Sequence, residues 1–386
     1  MKHFFPLILV GILLASFPLS AQRKMEKLDR GVVAVRNSGG AYFVSWRFFA
    51  TDPDDITFNL YAKSPVGSFT RLNSKPLQVT NFQAPQGSIG IGTQLYVTAV
   101  NKGVESSPSG MYTVPSHGFT TMRSTYLDIA FNPAADGLEL TQYNTKFVWP
   151  ADLDGDGEYD FVVDRLSTTG KSHKVQAYLR DGTLLWTIDM GPNVTISQGQ
   201  DDMVIAYDMD QDGKAEVVVK SSDGTKFADG KGVFGSASLD TDNDGIIDYN
   251  TQNVRNSPQY ITVIDGMTGR EKNSIEMNYP SIYTRTNKAI FMGDEYNNLN
   301  GHMSIFYADG KRPAVGFIYK VRTVQNQAHY YFGSAWGYNE AKQWVNIFNW
   351  ERGSQNAAEA HSIRAADVDG DGKDELLNIG FGLKGD

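Results

Sequence analysis

Short runs of alternating apolar and polar residues, broken by turn clusters, fill the first third of the chain. Residues 31–36, 42–49, 56–63, 69–72, 94–100 and 111–114 read as strands. In Phe58-Asn59-Leu60-Tyr61-Ala62 the partial alternation marks a half-buried strand. Asn37-Ser38-Gly39-Gly40 and Thr51-Asp52-Pro53-Asp54-Asp55 separate neighbouring runs. Short strands, frequent turns and a strand tryptophan, Trp46, predict a fibronectin III-like β-sandwich over residues 22–116. Such a unit most often serves as a spacer or prop. Pro108 and Pro115-Ser116-His117-Gly118 mark its end. Over residues 117–386 short β-runs alternate with acidic loops, and no amphipathic helix of useful length appears. The expected class is all-β.

The N-terminus has another texture. Lys2 and His3 precede an apolar run over 4–17, and Ser20-Ala21 precede Gln22. This pattern predicts a signal peptide over 1–21, cleaved after Ala21, and hence a secreted or periplasmic protein. The run falls short of the roughly 20 apolar residues a membrane span needs. The 386 residues include no cysteine. That excludes a disulfide scaffold, a cysteine-ligated zinc and a thiol nucleophile. A formal net charge of −9 argues against broad nucleic-acid or anionic-membrane binding.

Four segments share the pattern D-x-D-x-D-G-x-x-[D/E]. The candidate ligands are Asp152, Asp154, Asp156 and Asp160; Asp208, Asp210, Asp212 and Glu216; Asp240, Asp242, Asp244 and Asp248; and Asp367, Asp369, Asp371 and Glu375. Calcium is a hard cation that takes six to eight oxygens in flexible geometry. Carboxylates at positions 1, 3 and 5 wrap it, the glycine at 6 permits the turn, and the acid at 9 closes the shell. Without a cation the clustered acids repel one another. An EF-hand needs glutamate at position 12 and flanking helices. Position 12 here is Val163, Val219, Thr251 and Asn378, and strand-like runs follow the closing acids. These are therefore calcium loops between strands, and the sixteen ligands account for much of the acidity. Loops tens of residues apart among strands suit propeller blades, with the Asp240 loop an excursion within one blade.

The opening 25–35 with Val44-Ser45-Trp46-Arg47 resembles the start of the family 11 rhamnogalacturonan lyases. So do Lys220-Ser221-Ser222-Asp223-Gly224-Thr225 after the second loop, Thr268-Gly269-Arg270-Glu271, and Tyr307-Ala308-Asp309-Gly310-Lys311-Arg312-Pro313. His361 before the last loop also fits. The resemblance is collinear over nearly all of the chain after residue 21. It implies a fibronectin-like domain followed by an eight-bladed, calcium-rich propeller. It further implies cleavage of the rhamnogalacturonan I backbone of pectin by β-elimination at galacturonate. The C5 proton of a uronate becomes acidic once its carboxylate is neutralised, and a base then removes it.

Three stretches depart from the family. Thr145 and Lys146 stand at a Ser-Ala-Asn-Asp motif, Asp164-Arg165-Leu166 at a Lys-Trp-Asp motif, and 317–322 at a Met-x-Arg-Gly-Tyr-Tyr-like segment. At about 50 residues per blade, 117–386 supplies roughly five of eight blades. The expectation is an incomplete propeller, with the family's catalytic groups falling beyond residue 386. Within the chain, Lys320, Arg322 and His361 are the catalytic candidates; Lys320 and Arg322 alternate on one strand and read as a solvated face or as a clamp for a uronate, and His361 reads first as support for the last calcium loop. His302 and His329 are alternative bases, while Trp336, Trp344 and Trp350 read as core more readily than as sugar platforms. The chain is expected to be a monomer. The second reading is a non-catalytic, calcium-dependent glycan-binding or adhesion propeller, or an inactive lyase fragment.

Overall fold

The computed structural model describes residues 23–116, 129, 137–139, 141–194, 196, 202–240, 259–277, 300–322, 329–354, 362–378 and 381–384. Among them there is no α-helix. The N-terminal strands are β1 (Val33–Arg36), β2 (Tyr42–Ser45), β3 (Thr57–Lys63), β4 (Thr70–Arg71), β5 (Asn81–Gln83), β6 (Gln94–Asn101), β7 (Val104–Glu105) and β8 (Tyr112–Thr113). They form a three-stranded sheet, β1-β2-β5, and a five-stranded sheet, β4-β3-β6-β7, with β8 also on β6. Both sheets feed one core. Val32, Ala34, Val44 and Trp46 meet Phe58, Leu60, Leu95 and Val97 there, and the Trp46 ring stands edge-on to Phe58 at 5.7 Å. The alternation read from the sequence is this inward-facing set.

Four further sheets follow in chain order. Sheet 1 holds β9 (Tyr143–Asn144), β10 (Val148–Ala151), β11 (Asp160–Ser167), β12 (Lys174–Tyr178) and β13 (Leu184–Asp189). Sheet 2 holds β14 (Val204–Tyr207), β15 (Glu216–Ser222), β16 (Gln259–Asp265) and β17 (Glu271–Glu276). Sheet 3 holds β18 (Asn300–Phe306), β19 (Ala314–Arg322), β20 (His329–Tyr338) and β21 (Trp344–Ser354). Sheet 4 holds β22 (Arg364–Ala366), β23 (Glu375–Asn378) and β24 (Phe381–Lys384). Apart from β9, which caps the end of β11, each is an antiparallel meander in sequence order. The first strands β10, β14, β18 and β22 lie beside one another in succession. The described residues thus form four such sheets, and segment 223–258 lies between β15 and β16. Asp240 lies in that segment.

Successive sheets stack face to face, and the period of two along each strand shows it. On β15, Val217 and Val219 enter the apolar layer shared with sheet 1. Val218, between them, enters the layer shared with sheet 3. On β19, Val315, Phe317 and Tyr319 face sheet 2, whereas Ala314 and Ile318 face sheet 4. A central strand covered on both faces reads as a continuous apolar run, which is why Val217-Val218-Val219 has no alternation. Trp336 and Trp344 belong to the layer between sheets 2 and 3, and Trp350 packs against the next layer.

Two arginines seat the N-terminal sheets on sheet 1. Arg180 donates to the Val32 carbonyl at 2.8 Å and pairs with Glu158 at 2.9 Å. Its guanidinium lies 5.0 Å from the centre of the Tyr112 ring. Arg47 donates to the carbonyls of Asp29 at 2.6 Å and Gly157 at 3.1 Å. Gly157 and Glu158 belong to the first acidic loop, so the prop rests on that loop.

Candidate metal centres

The acidic loops join the first two strands of sheets 1, 2 and 4. Each begins immediately after β10, β14 or β22, and its last acid is the first residue of β11, β15 or β23. All three repeat one hydrogen-bond pattern. The position-1 carboxylate is the hub. Asp152 accepts from the amides of Gly155 and Gly157, both at 2.8 Å. Asp208 accepts from Asp212 and Gly213, both at 3.0 Å, and Asp367 from Gly370, Asp371 and Gly372 at 2.7–3.1 Å. The acids at position 3 each cap the amide two residues on: Asp154 takes Asp156, Asp210 takes Asp212, and Asp369 takes Asp371, at 3.0–3.2 Å. Asp156, Asp212 and Asp371 at position 5 do the same for Glu158, Lys214 and Lys373.

The acid at position 9 has a role the spacing alone does not show. Asp160, Glu216 and Glu375 each accept from the amide at position 2, of Leu153, Met209 and Val368, at 2.9–3.2 Å. It ties the end of the loop back to its beginning. The glycines at position 6 have φ of +88°, +99° and +89° at Gly157, Gly213 and Gly372. Position 4 is left-handed too, with φ of +84° at Gly155, +60° at Gln211 and +78° at Gly370. That second turn is hidden in the sequence, because glutamine fills it in the second loop.

One oxygen from each of Asp152, Asp154 and Asp160 lies within 4.8 Å of the others, as do oxygens of Asp208, Asp210 and Glu216, and of Asp367, Asp369 and Asp371. An all-oxygen donor set on a flexible turn fits a hard divalent cation, so these groups could hold a metal ion. Lys272 already reaches into the second group, 3.0 Å from Asp210 and 2.6 Å from Glu216. Burial would lower its pKa, but these carboxylates outweigh burial and hold it above its usual range. Sheet 3 varies the theme. Between β18 and β19, Asp309 accepts from the amides of Lys311 and Arg312 at 2.8 Å. The Arg312 guanidinium closes on its other oxygen at 2.7 Å. A built-in cation stands there in place of further acids.

Electrostatics follow from burial. Asp160 and Glu216 are pushed up to about 7 by desolvation, with Asp154 and Asp210 respectively adding to the rise. Asp152 and Asp208 are raised for the same reason. Glu26 is also pushed up to about 7 by burial, with Asp208 and Asp152 contributing.

Of the predicted ligands, Asp242, Asp244 and Asp248 lie outside the described residues, as does His361. Asp240 follows Leu239 at the end of a described stretch and takes no part in the three repeated loops. Lys320 and Arg322 both fall on β19, with Tyr331 and His329 opposite them on β20.

At the other end of the first strands the structure gathers Asp164, Lys146 and His302, each noted separately in the sequence, around Asp202, which sequence reading missed. Asp164 is fully buried on β11 and accepts from the amides of Lys146 at 2.6 Å and Phe147 at 3.1 Å. Asp202, just before β14, accepts from Trp149 Nε1 at 3.3 Å. Burial pushes Asp202 up to about 6, Asp164 adds to the rise and Lys146 opposes it. The Asp202 amide donates to the Gly301 carbonyl at 2.9 Å, which brings buried His302 alongside.

Residues 126–385 match the C-terminal domain of rhamnogalacturonan lyase family 11, and residues 23–114 match the rhamnogalacturonan I lyase β-sheet domain. The chain is 33% identical over 376 residues to rhamnogalacturonan endolyase YesW of Bacillus subtilis, covering 92% of this chain and 55% of that protein. It is 32% identical over 372 residues to rhamnogalacturonan exolyase YesX of the same organism, covering 92% and 56%. Among solved structures, a Bacillus licheniformis rhamnogalacturonan lyase superposes with a TM-score of 0.69 at 28% identity, covering 95% of this chain and 60% of that one. Exotype lyase YesX superposes with a TM-score of 0.68 at 27% identity, covering 95% and 58%. The chain spans about half the length of the curated relatives it matches.

Two outcomes are expected of the loops. Gly213→Ala pays only for left-handed backbone, about 1–2 kcal/mol, since no atom lies within 4 Å of its Cβ position. Gly157→Ala costs more, because its Cβ would stand 2.8 Å from the Asp29 amide nitrogen. Urea denaturation should rank them so, and equal losses would contradict the packing of Asp29 on the first loop. The second outcome concerns pH. Raised carboxylate pKa values mean that the folded chain holds protons the unfolded chain releases between about pH 4 and 7. Their stabilisation is complete below that window and lost as pH rises through about 7. With chelator present, melting temperature should therefore fall from about pH 5 to 7.5, and a bound dication should flatten or reverse the slope. A chelated protein that gains stability across this window would contradict the assignment.

Proposed function

The chain belongs to rhamnogalacturonan lyase family 11, and from that we propose that it takes part in cleaving rhamnogalacturonan I by β-elimination at galacturonate. The observation that carries this reading is the collinear match over 92% of the chain to two lyases. We read the architecture as a fibronectin III-like sandwich over 22–116 and a β-propeller over 117–386. Four meanders with neighbouring first strands support the propeller. The chain acts as a monomer, exported after removal of residues 1–21.

The three loops, with the Asp240 loop as a fourth, hold calcium. When bound, the cation supplies positive charge that offsets the crowded carboxylates. The chain's own residues do the rest of the structural work. Position-1 carboxylates hold the loop amides, position-9 acids lock loop to strand, and Arg312 does the same for sheet 3. These parts fix the inner strands, whose opposite ends carry Lys146, Asp164, Asp202 and His302. We assign that end to the polysaccharide. Lys146 offers a cation for a uronate carboxylate. Asp202, with a pKa near 6, is suited to accept a proton close to neutrality. Lys320 and Arg322 on β19 remain candidates for the same clamp.

A second reading is glycan binding without cleavage; it takes its support from the resemblance, which implies other residues at Lys146 and Asp164. One assay separates the two. Incubation with rhamnogalacturonan I and calcium should raise the ultraviolet absorbance of unsaturated uronate. Asp202→Asn should lower the initial rate about 10²-fold or more if Asp202 is the base. Binding without any rise would leave only the second reading.

A further inference from the structure

Residues 23–29 have no regular structure, yet they run across all three acidic loops. At one end Arg23 pairs with Asp374 at 2.7 Å and donates to the Gly372 carbonyl of the fourth-sheet loop at 3.5 Å. Its guanidinium lies 5.2 Å from the centre of the Tyr307 ring. Next, Lys24 Nζ donates to the Gln211 carbonyl at 2.6 Å, and Gln211 Nε2 returns a bond to the Lys24 carbonyl at 3.1 Å. The Tyr307 hydroxyl donates to the same carbonyl at 3.3 Å. Glu26 accepts from the Asp208 amide at 3.4 Å. At the far end the Asp29 amide donates to the Gly157 carbonyl at 2.8 Å.

The anchors share a property. Gly157, Gln211 and Gly372 are left-handed residues of their loops. Their carbonyls stand where the segment meets them only while each loop is wound. Adjacent loops already touch, as where the Ala215 amide donates to the Asp152 carbonyl at 2.7 Å, but the first strands of sheets 1 and 4 are separated by two others, and the segment reaches the loops of both. Winding one loop supplies one anchor. The entropy of ordering the segment is then spent once and shared by every further anchor. A second loop that winds meets a segment already in place.

We propose that residues 23–29 are a clasp that couples the three loops, so that they take up cations cooperatively rather than as independent sites. The proposal rests on the calcium reading above. Coupling of this kind is reciprocal: cations order the clasp, and the clasp raises cation affinity, typically about 5- to 150-fold.

The test is a calorimetric calcium titration of the chelator-stripped full chain beside two variants, Arg23→Ala with Lys24→Ala, and Glu26→Gln. The parent should bind with a Hill coefficient above about 1.5, and the double variant with a coefficient near 1 and apparent affinity about 5-fold weaker or worse. Glu26→Gln keeps both basic anchors and serves if the double variant does not fold; it should show the same loss in smaller measure. In parallel, trypsin should cut after Lys27 in the chelated parent and be excluded in calcium. In the double variant that protection should be lost. Equal, non-cooperative isotherms for parent and variants, with Lys27 equally cut throughout, would overturn the clasp while leaving calcium binding intact. No binding heat in any of them would overturn the calcium reading and the clasp together.

Discussion

The inner hairpins of sheets 1, 2 and 4 depend on how four carboxylates are kept together at the turn between β10 and β11, β14 and β15, or β22 and β23. Bringing them within a few ångströms is unfavourable by repulsion and by burial. The loop answers with its own amides. The position-1 carboxylate of each loop accepts two or three backbone N–H groups, and the position-9 acid accepts another from position 2. Such charge-assisted bonds offset part of the desolvation but none of the repulsion between acids. At the second loop an internal cation, Lys272, supplies part of the remainder, and under the function proposed above a divalent cation supplies the rest. The same interaction sets the register of these three hairpins, because the closing acid is also the first residue of β11, β15 or β23.

That constraint carries outwards. With the inner hairpins fixed, Val217 and Val219 face one neighbouring sheet and Val218 the other. A single strand thereby contributes to two apolar layers. The N-terminal sheets use the first loop as a platform through Arg47 and Arg180, and residues 23–29 bind the loops from outside. The loop end is therefore the braced end. The opposite end carries Asp164, Asp202, Lys146 and His302.

Much of this could be read directly. Strands with alternation, such as 57–63 and 94–101, and the three regular loops needed only local signals: period two, and acids with a glycine at fixed spacing. Strands β5 and β7 escaped because each carries a single apolar residue, Phe82 or Val104, whereas the equally short β4 and β8 are flanked by Phe69 and Leu72 and by Met111 and Val114. β7 forms by a turn at Lys102-Gly103, both at positive φ, which lysine does not advertise. Gln211 concealed the second left-handed position for the same reason. Arg312 was invisible as a cation substitute because its partner, Asp309, stands alone in sequence. The cluster of Asp164, Asp202 and His302 comes from three different sheets, so no spacing along the chain could have gathered it. The tryptophans Trp336 and Trp344 proved to be core, as β-rich packing favours.

The account's central claim is that dications hold these loops. Its most direct test is the metal content of the purified chain after exhaustive dialysis against metal-free buffer, measured by elemental mass spectrometry. The account predicts about three or more calcium ions per chain, one for each wound loop, removed by chelator together with a large fall in melting temperature. Fewer than about one ion per chain, with melting unchanged by chelator, would contradict it.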